Sequence, residues 1–286
     1  MPLEVIYVVR HGFRPAWTVD PRTGVYSSSV RTPTGIPTDP PLSAHGVRQS
    51  VELARRLMTL DPPIDVVYSS PAYRCLQTLT PYIEERRQLD TSAATKILPE
   101  KGIGEWHGTA HFEHPETAAA EVLNSEFPAY CADYVSIREP LRNGETIPQL
   151  YERVASTLRA IVERCDADGT RAILLCTHAS VCITLGRVLT GNIPDDPSTE
   201  DFTAFTCGLS AYRRRRTRGG TKLQREKALS QSMAPAAAQT VLGDWSCELN
   251  GDCSFLTHGA ERGWKFNGDE AFPGAQSLSQ TESPKL

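Results

Sequence analysis

Two histidines and two arginines stand where short apolar runs come to an end. Arg10-His11 follows the run 3–9, Thr177-His178 follows the run 171–176, and Arg74 lies five residues beyond Ser69, just after a third run at 65–68. Glu100 and Glu105 flank a tight turn after a weaker run at 95–98. A lone histidine at the end of a strand is ordinarily structural. Several cations converging on one place repel each other and are costly to bury without an anionic partner. Phosphate is such a partner, and the planar fork of an arginine matches its oxygens. A nearby carboxylate adds the means to move a proton.

For these residues to meet, the apolar runs must be neighbouring strands. Between them lie stretches of helical period: 43–60, with Val47, Val51, Ala54 and Met58 as its apolar face; 72–87, which Pro81 should kink or restart; 146–165, opened by the capping box Thr146-x-x-Gln149; and 179–189, stopped by Gly191. Strand and helix alternate. The expected fold is therefore α/β, a mostly parallel sheet with helices on both faces. Ligands of such sheets bind beyond the carboxyl ends of the strands, where the two histidines stand.

The remaining segments are less regular. Residues 12–41 read as a long loop and 110–142 as short helices over the strand ends. Two further strands are expected at 203–213 and 244–255, with Asn250-Gly251 as a hairpin turn. Between these strands, residues 214–240 read as an inserted basic and small-residue surface loop before the last strand. Residues 1–272 then form one domain, and 273–286 a disordered tail.

Composition excludes several classes. With 286 residues, 40% apolar and 22% charged, the chain is neither disordered throughout, nor collagen-like, nor a membrane bundle. No stretch approaches the roughly 18 apolar residues of a spanning helix. The first residues carry no signal-type core, so a nuclear or cytoplasmic rather than secreted protein is expected. The eight cysteines read as reduced core residues, and no CxxC pair suggests a zinc site. His107, His111 and His114 have spacings that admit a metal, or are loop histidines at a pocket rim. Net charge is −4, which argues against nucleic-acid binding by the domain as a whole. Yet residues 213–227 hold eight basic residues against one acid, so the rest of the chain carries −11. The basic run, Arg213 to Lys227, reads as a nuclear address, a weak nucleic-acid contact or solvated loop charge.

Six ordered blocks carry a family resemblance. They are Arg10-His11-Gly12 after a strand, Leu42-Ser43-Ala44-His45-Gly46-Val47-Arg48-Gln49, Ser69-Ser70-Pro71-Ala72-Tyr73-Arg74, Glu100 ahead of Gly104-Glu105-Trp106, Gly144-Glu145-Thr146, and Thr177-His178. Together they resemble the histidine phosphatase superfamily, also called phosphoglycerate-mutase-like. The resemblance implies a phosphatase without metal or cofactor, with His11 as nucleophile and Arg10, Arg74 and His178 on the phosphoryl oxygens. It implies Glu100 as the acid, with Glu105 as the alternative or as a tether of its own turn. Arg14, Glu105 and Ala179 would line the substrate. Phe13-Arg14-Pro15 and His178-Ala179 depart from the mutase pattern, which favours a phosphatase for aromatic or peptide phosphomonoesters over a mutase or small-metabolite enzyme. A narrower resemblance, through the long loop and the segment Trp245-Ser246-Cys247 to Leu256, is to the fungal histidine-phosphatase-domain subunit of general transcription factor IIIC, or a free-standing relative. It implies a nuclear setting and partners in the RNA polymerase III machinery, whether the fold serves there as enzyme or as binding module.

Overall fold

Strand β1 (Val5–Arg10) is β-branched and aromatic and almost wholly buried, as a strand covered on both faces must be. Its alternate residues enter two cores: Ile6 and Val8 pack under the helices of one face, Val5, Tyr7 and Val9 under those of the other. In the computed structural model, residues 2–89, 96–215 and 241–267 are described. The other elements are β2 (Trp17–Val19), β3 (Tyr26–Ser28), α1 (Ala44–Leu57), β4 (Val66–Ser69), α2 (Tyr73–Leu89), β5 (Ile97–Pro99), α3 (Ala120–Glu126), α4 (Ile147–Asp168), β6 (Ala172–Thr177), α5 (Ala179–Thr190), β7 (Leu209–Arg214) and β8 (Trp245–Asp252).

The main sheet has the order β5-β4-β6-β1-β7-β8. From β5 to β1 the pairings are parallel; β7 and β8 join antiparallel. α1 and α2 pack over one face, α4 and α5 over the other, each burying aliphatic side chains that contribute about 1.5–3 kcal/mol apiece. The fold is the α/β architecture expected. Strand register brings the histidines together. Arg10 pairs with Thr177, and Ser69 pairs with Cys176. His11, Ser70 and His178 therefore leave the sheet side by side, tied by His11 N–H to the Thr177 carbonyl (3.0 Å) and Ser70 N–H to the Cys176 carbonyl (2.9 Å).

Local expectations divide. The α4 capping box forms in both directions, and Gly191 ends α5 in the left-handed region at φ +78°. α2 instead runs unbroken through Pro81, with the Thr80 hydroxyl bonded to the Leu76 carbonyl one turn back. α1 exists, but only half of its expected face holds: Ala54 is buried and Met58 packs against the core. Val47 and Val51 are exposed, while Gly46, Gln49, Ser50, Leu53 and Leu57 are buried. The long loop contains the β2–β3 ladder, and 110–142 holds one short helix, α3, in otherwise irregular chain. Asn250-Gly251 is no hairpin turn. It sits inside β8 at an irregular stretch of the β7 pairing, where the Asn250 amide receives the Thr203 N–H.

All eight cysteines are free, and six are buried. Among the described residues no helix is long and apolar enough to cross a membrane. The expected insertion, apart from Arg214 and Arg215, and the expected tail lie outside the described residues.

Candidate active site

His11 is 2% exposed, and its Nδ1 lies 2.8 Å from the carbonyl of Gly12. An N–H at Nδ1 donates to that carbonyl, which leaves the Nε2 lone pair free. Burial, then the nearby guanidinium of Arg74 and that of Arg10, push its pKa well below the usual value, so the ring is neutral. The turn that holds it is crowded. A Cβ on Gly12 would lie 2.9 Å from the Gly46 carbonyl, and one on Gly46 would lie 2.1 Å from the carbonyl of Phe13.

His178, fully buried, caps the start of α5, its ring 5.4 Å edge-on from that of His11. Ser70 Oγ lies 2.8 Å from its Nε2, and Glu105 Oε2 lies 3.1 Å from its Nδ1. Burial alone would lower its pKa, but the Cys75 thiol and the Glu105 carboxylate raise it overall. Arg74 reaches the same point from the first turn of α2. Its Nη1 donates to the Thr38 carbonyl (3.1 Å) and to Asp39 Oδ1 (3.3 Å), and its Nη2 to Glu105 Oε2 (3.1 Å). Arg10 Nη1 donates to the carbonyls of Ala204 (2.7 Å) and Arg262. Arg14 bonds the Pro15 carbonyl (3.0 Å) and lies over the Trp17 ring.

Four buried polar atoms near His11 are left over. Among the described residues, the Nε atoms of Arg10, Arg14 and Arg74 are buried with no hydrogen-bond partner, as is Ser180 Oγ on α5. Orphaned buried donors are rare and costly. Arg10, Arg14 and Ser180 line one cavity of about 570 Å³ with His11, Glu105 and Ala179. A tetrahedral oxyanion there would supply acceptors to Arg10, Arg14 and Ser180, while Arg74 and His178 do not line the cavity and reach its edge through Glu105.

The two glutamates part: Glu105 lines the cavity, as expected of a substrate-lining residue, and Glu100 does not. Glu100 is fully buried and is not brought to this cavity. Its oxygens accept from Gly102 N–H (2.7 Å), Tyr134 OH (2.7 Å) and Ile137 N–H (3.0 Å), so it caps the turn Lys101–Ile103. Burial would raise the pKa of Glu105, but the His178 imidazole and the Arg74 guanidinium hold it well below the usual carboxylate range. The turn between the two glutamates is buttressed by Arg153, which pairs with Glu145 through two 2.7 Å bonds and donates to the carbonyls of Gly102 and Gly104.

A metal has one candidate seat among the described residues. Ligand atoms of His11, Glu105 and His178 lie within 4.8 Å of one another. Three guanidiniums crowd that seat, so its field suits an anion better than a cation. The other histidines do not gather as ligands. His107 stacks on His114 at 4.6 Å and lines the cavity, its pKa lowered to about 3 by burial, while the His114 ring nitrogens meet Tyr26 OH and the Gly108 carbonyl.

The model of the histidine phosphatase superfamily (branch 1) matches residues 6–225. The chain belongs to this superfamily. Among curated proteins, it is 29% identical over 300 residues to the transcription factor tau 55 kDa subunit of Saccharomyces cerevisiae, an alignment covering 99% of this chain and 65% of that protein. It is 30% identical over 167 residues to the ecdysteroid-phosphate phosphatase of Drosophila melanogaster, covering 57% of this chain and 21% of that protein. The chain thus spans less than two thirds of either relative's length. Among solved structures, the ecdysone phosphate phosphatase of Bombyx mori, in complex with tungstate, superposes with a TM-score of 0.52 at 20% identity over 73% of this chain and 89% of that one, a likeness of fold.

Residues that sequence reasoning passed over also build this candidate site. Asp39 and Ser70 hold Arg74 and His178, and Gln49 accepts the Phe13 N–H (2.9 Å) beside the turn that holds His11. Gln49 and Ser70 stood inside the six motif blocks. Trp264 and Lys265, also on the cavity, lie in a late segment with no signal of its own.

Proposed function

We propose that the chain is a metal-independent phosphomonoester phosphatase that works through a phosphohistidine. The observation that carries the reading is the set of partnerless guanidinium donors around a neutral, oriented imidazole. His11 Nε2 attacks phosphorus, the P–O bond to the leaving group breaks, and the leaving oxygen takes a proton. Arg10, Arg14, Arg74 and the imidazolium of His178 hold the non-bridging oxygens as charge moves through the transition state. Glu105, on the cavity, supplies the proton. It is ionised in the empty site, and an arriving phosphate dianion opposes its charge and favours the protonated form. A water then attacks phosphorus, Glu105 takes the water's proton, the P–N bond breaks and inorganic phosphate leaves. Glu100 has no part in these steps beyond shaping the turn that presents Glu105.

The substrate in this reading is an aromatic phosphomonoester, either phosphotyrosine in a protein or a small aryl phosphate. Trp17, Trp106 and Arg14 at the cavity support it. The yeast relative supports a second role that is compatible with the first: a nuclear subunit of a transcription factor assembly, in which residues 1–272 form the phosphatase-like domain and the basic run meets partners or nucleic acid. The test is hydrolysis of an aryl phosphate and a phosphotyrosine peptide by the purified chain, with and without chelator. Turnover that survives chelator and is lost in His11→Ala is expected; turnover that needs an added divalent ion would refute the mechanism.

A further inference from the structure

Residues 261–267 lie beyond the span matched by the superfamily model, yet they close over the candidate site. The segment is fastened at both ends. Glu261 accepts from Gln49 Nε2 (2.8 Å), pairs with His45 Nε2 (2.5 Å) and takes the Thr206 N–H on its carbonyl (3.1 Å). Phe266, 2% exposed, packs on Trp106 and on the guanidinium of the buried Arg187. Between these anchors, Arg262 adopts the left-handed region at φ +50°, a conformation that costs a non-glycine residue about 1 kcal/mol or more. Its carbonyl receives Arg10 Nη1, and its guanidinium stacks 4.2 Å from the Phe13 ring centroid. Trp264 follows, 36% exposed, its ring 6.3 Å from that of Trp106, and it lines the cavity.

The indole meets the rings of Trp106 and Phe266 on one side, and its other side stays open toward the cavity. It presents apolar surface to whatever enters the cavity. We propose that Trp264 is a specificity-determining residue, the wall against which the leaving group packs, and that the same segment fixes Arg10 through the Arg262 carbonyl. The inference rests on the phosphate-site reading above and assigns the leaving-group side of that site. Phosphate binding depends on the Arg262 carbonyl, and selection of the leaving group depends on the Trp264 ring. The two are separable by substitution.

Equilibrium titration of the full chain with inorganic phosphate and with phenylphosphonate separates them without needing turnover. Phenylphosphonate should bind about tenfold more tightly than phosphate, the scale of one good aromatic contact. Trp264→Ala should remove most of that preference and leave the affinity for phosphate unchanged, and Trp264→Phe should keep part of it. Equal loss for both ligands would reduce Trp264 to a structural prop and overturn the proposal. No change for either ligand would overturn it as well, with the phosphate site intact. A wild-type chain that binds neither ligand would overturn the phosphate-site reading itself, and this inference with it.

Discussion

Nδ1 of His178 lies 3.1 Å from Oε2 of Glu105, a contact between a fully buried imidazole and a carboxylate at the edge of the cavity. Each favours the other's charged form: the carboxylate is kept well below its usual range, and the imidazole, with Cys75 beside it as well as Glu105, is raised above its own.

That pair sets a pH window. Glu105 contributes stability above its usual value of 4.5, and the contribution fades as pH falls through its lowered folded value. His178 contributes fully below its usual value of 6.5, and its contribution fades as pH rises through its raised folded value. Wild type should therefore exceed Glu105→Gln in thermal stability by most between pH 4.5 and 6.5, and by less on either side. Melting temperatures of the two proteins across pH 3–9 check this; a difference that does not vary with pH would mean the pair is not charged.

His11→Ala should lower phosphomonoester turnover by on the order of 10³-fold or more, as loss of a nucleophile does. The fold should persist, because the ring's one observed bond is to the neighbouring Gly12 carbonyl. Labelled substrate, quenched under denaturing alkaline conditions that preserve a phosphoramidate, should leave label on wild type and none on the variant. Label on another residue would relocate the nucleophile.

The two glutamates should part company in kinetics. Glu105→Gln should slow cleavage of an alkyl phosphate by about 10²-fold or more, because a poor leaving group needs its proton. The same change should cost less than about tenfold for an activated aryl phosphate. Glu100→Gln should instead cost about 1–3 kcal/mol of stability, through weakened bonds to Gly102, Tyr134 and Ile137, with little change in leaving-group dependence. Urea unfolding and a leaving-group series distinguish the two, and an exchanged pattern would return the acid to Glu100.

The strand ends were readable because short apolar runs stop where His11 and His178 begin, and parallel register then brings them together without further information. The cap of α4 was readable because its signal is local. The face of α1 was readable only in part: apolar Val47 and Val51 point outward, because the inward positions are taken by Gly46, which lets Phe13 approach, and by Gln49, which bonds it. The glutamates differ by a turn whose direction depends on Arg153, about fifty residues away, so spacing alone left them open. The segment 261–267 carries no periodicity. Its place is set by long-range bonds to Gln49, Arg10 and Arg187.

The basic run enters through topology. Arg214 pairs with Trp245, and Arg215 N–H bonds the Asp244 carbonyl (2.8 Å), so the chain leaves β7 and returns to β8 at adjacent points. Those points lie beside Val5, at the start of β1, whereas the site lies beyond its end at Arg10. Exchanging residues 216–240 for a short Gly-Ser link joins points at the end of the sheet opposite the site, and should therefore leave stability within about 0.5 kcal/mol and aryl phosphate turnover within about twofold of wild type. It should abolish any salt-sensitive retention on nucleic acid, since the exchange removes most of the basic cluster, and such binding weakens steeply with ionic strength. Retention on a nucleic-acid column across a salt gradient, alongside turnover, reads both effects. A variant that fails to fold would show that the segment packs on the sheet, and unchanged retention would place nucleic-acid contact elsewhere on the surface.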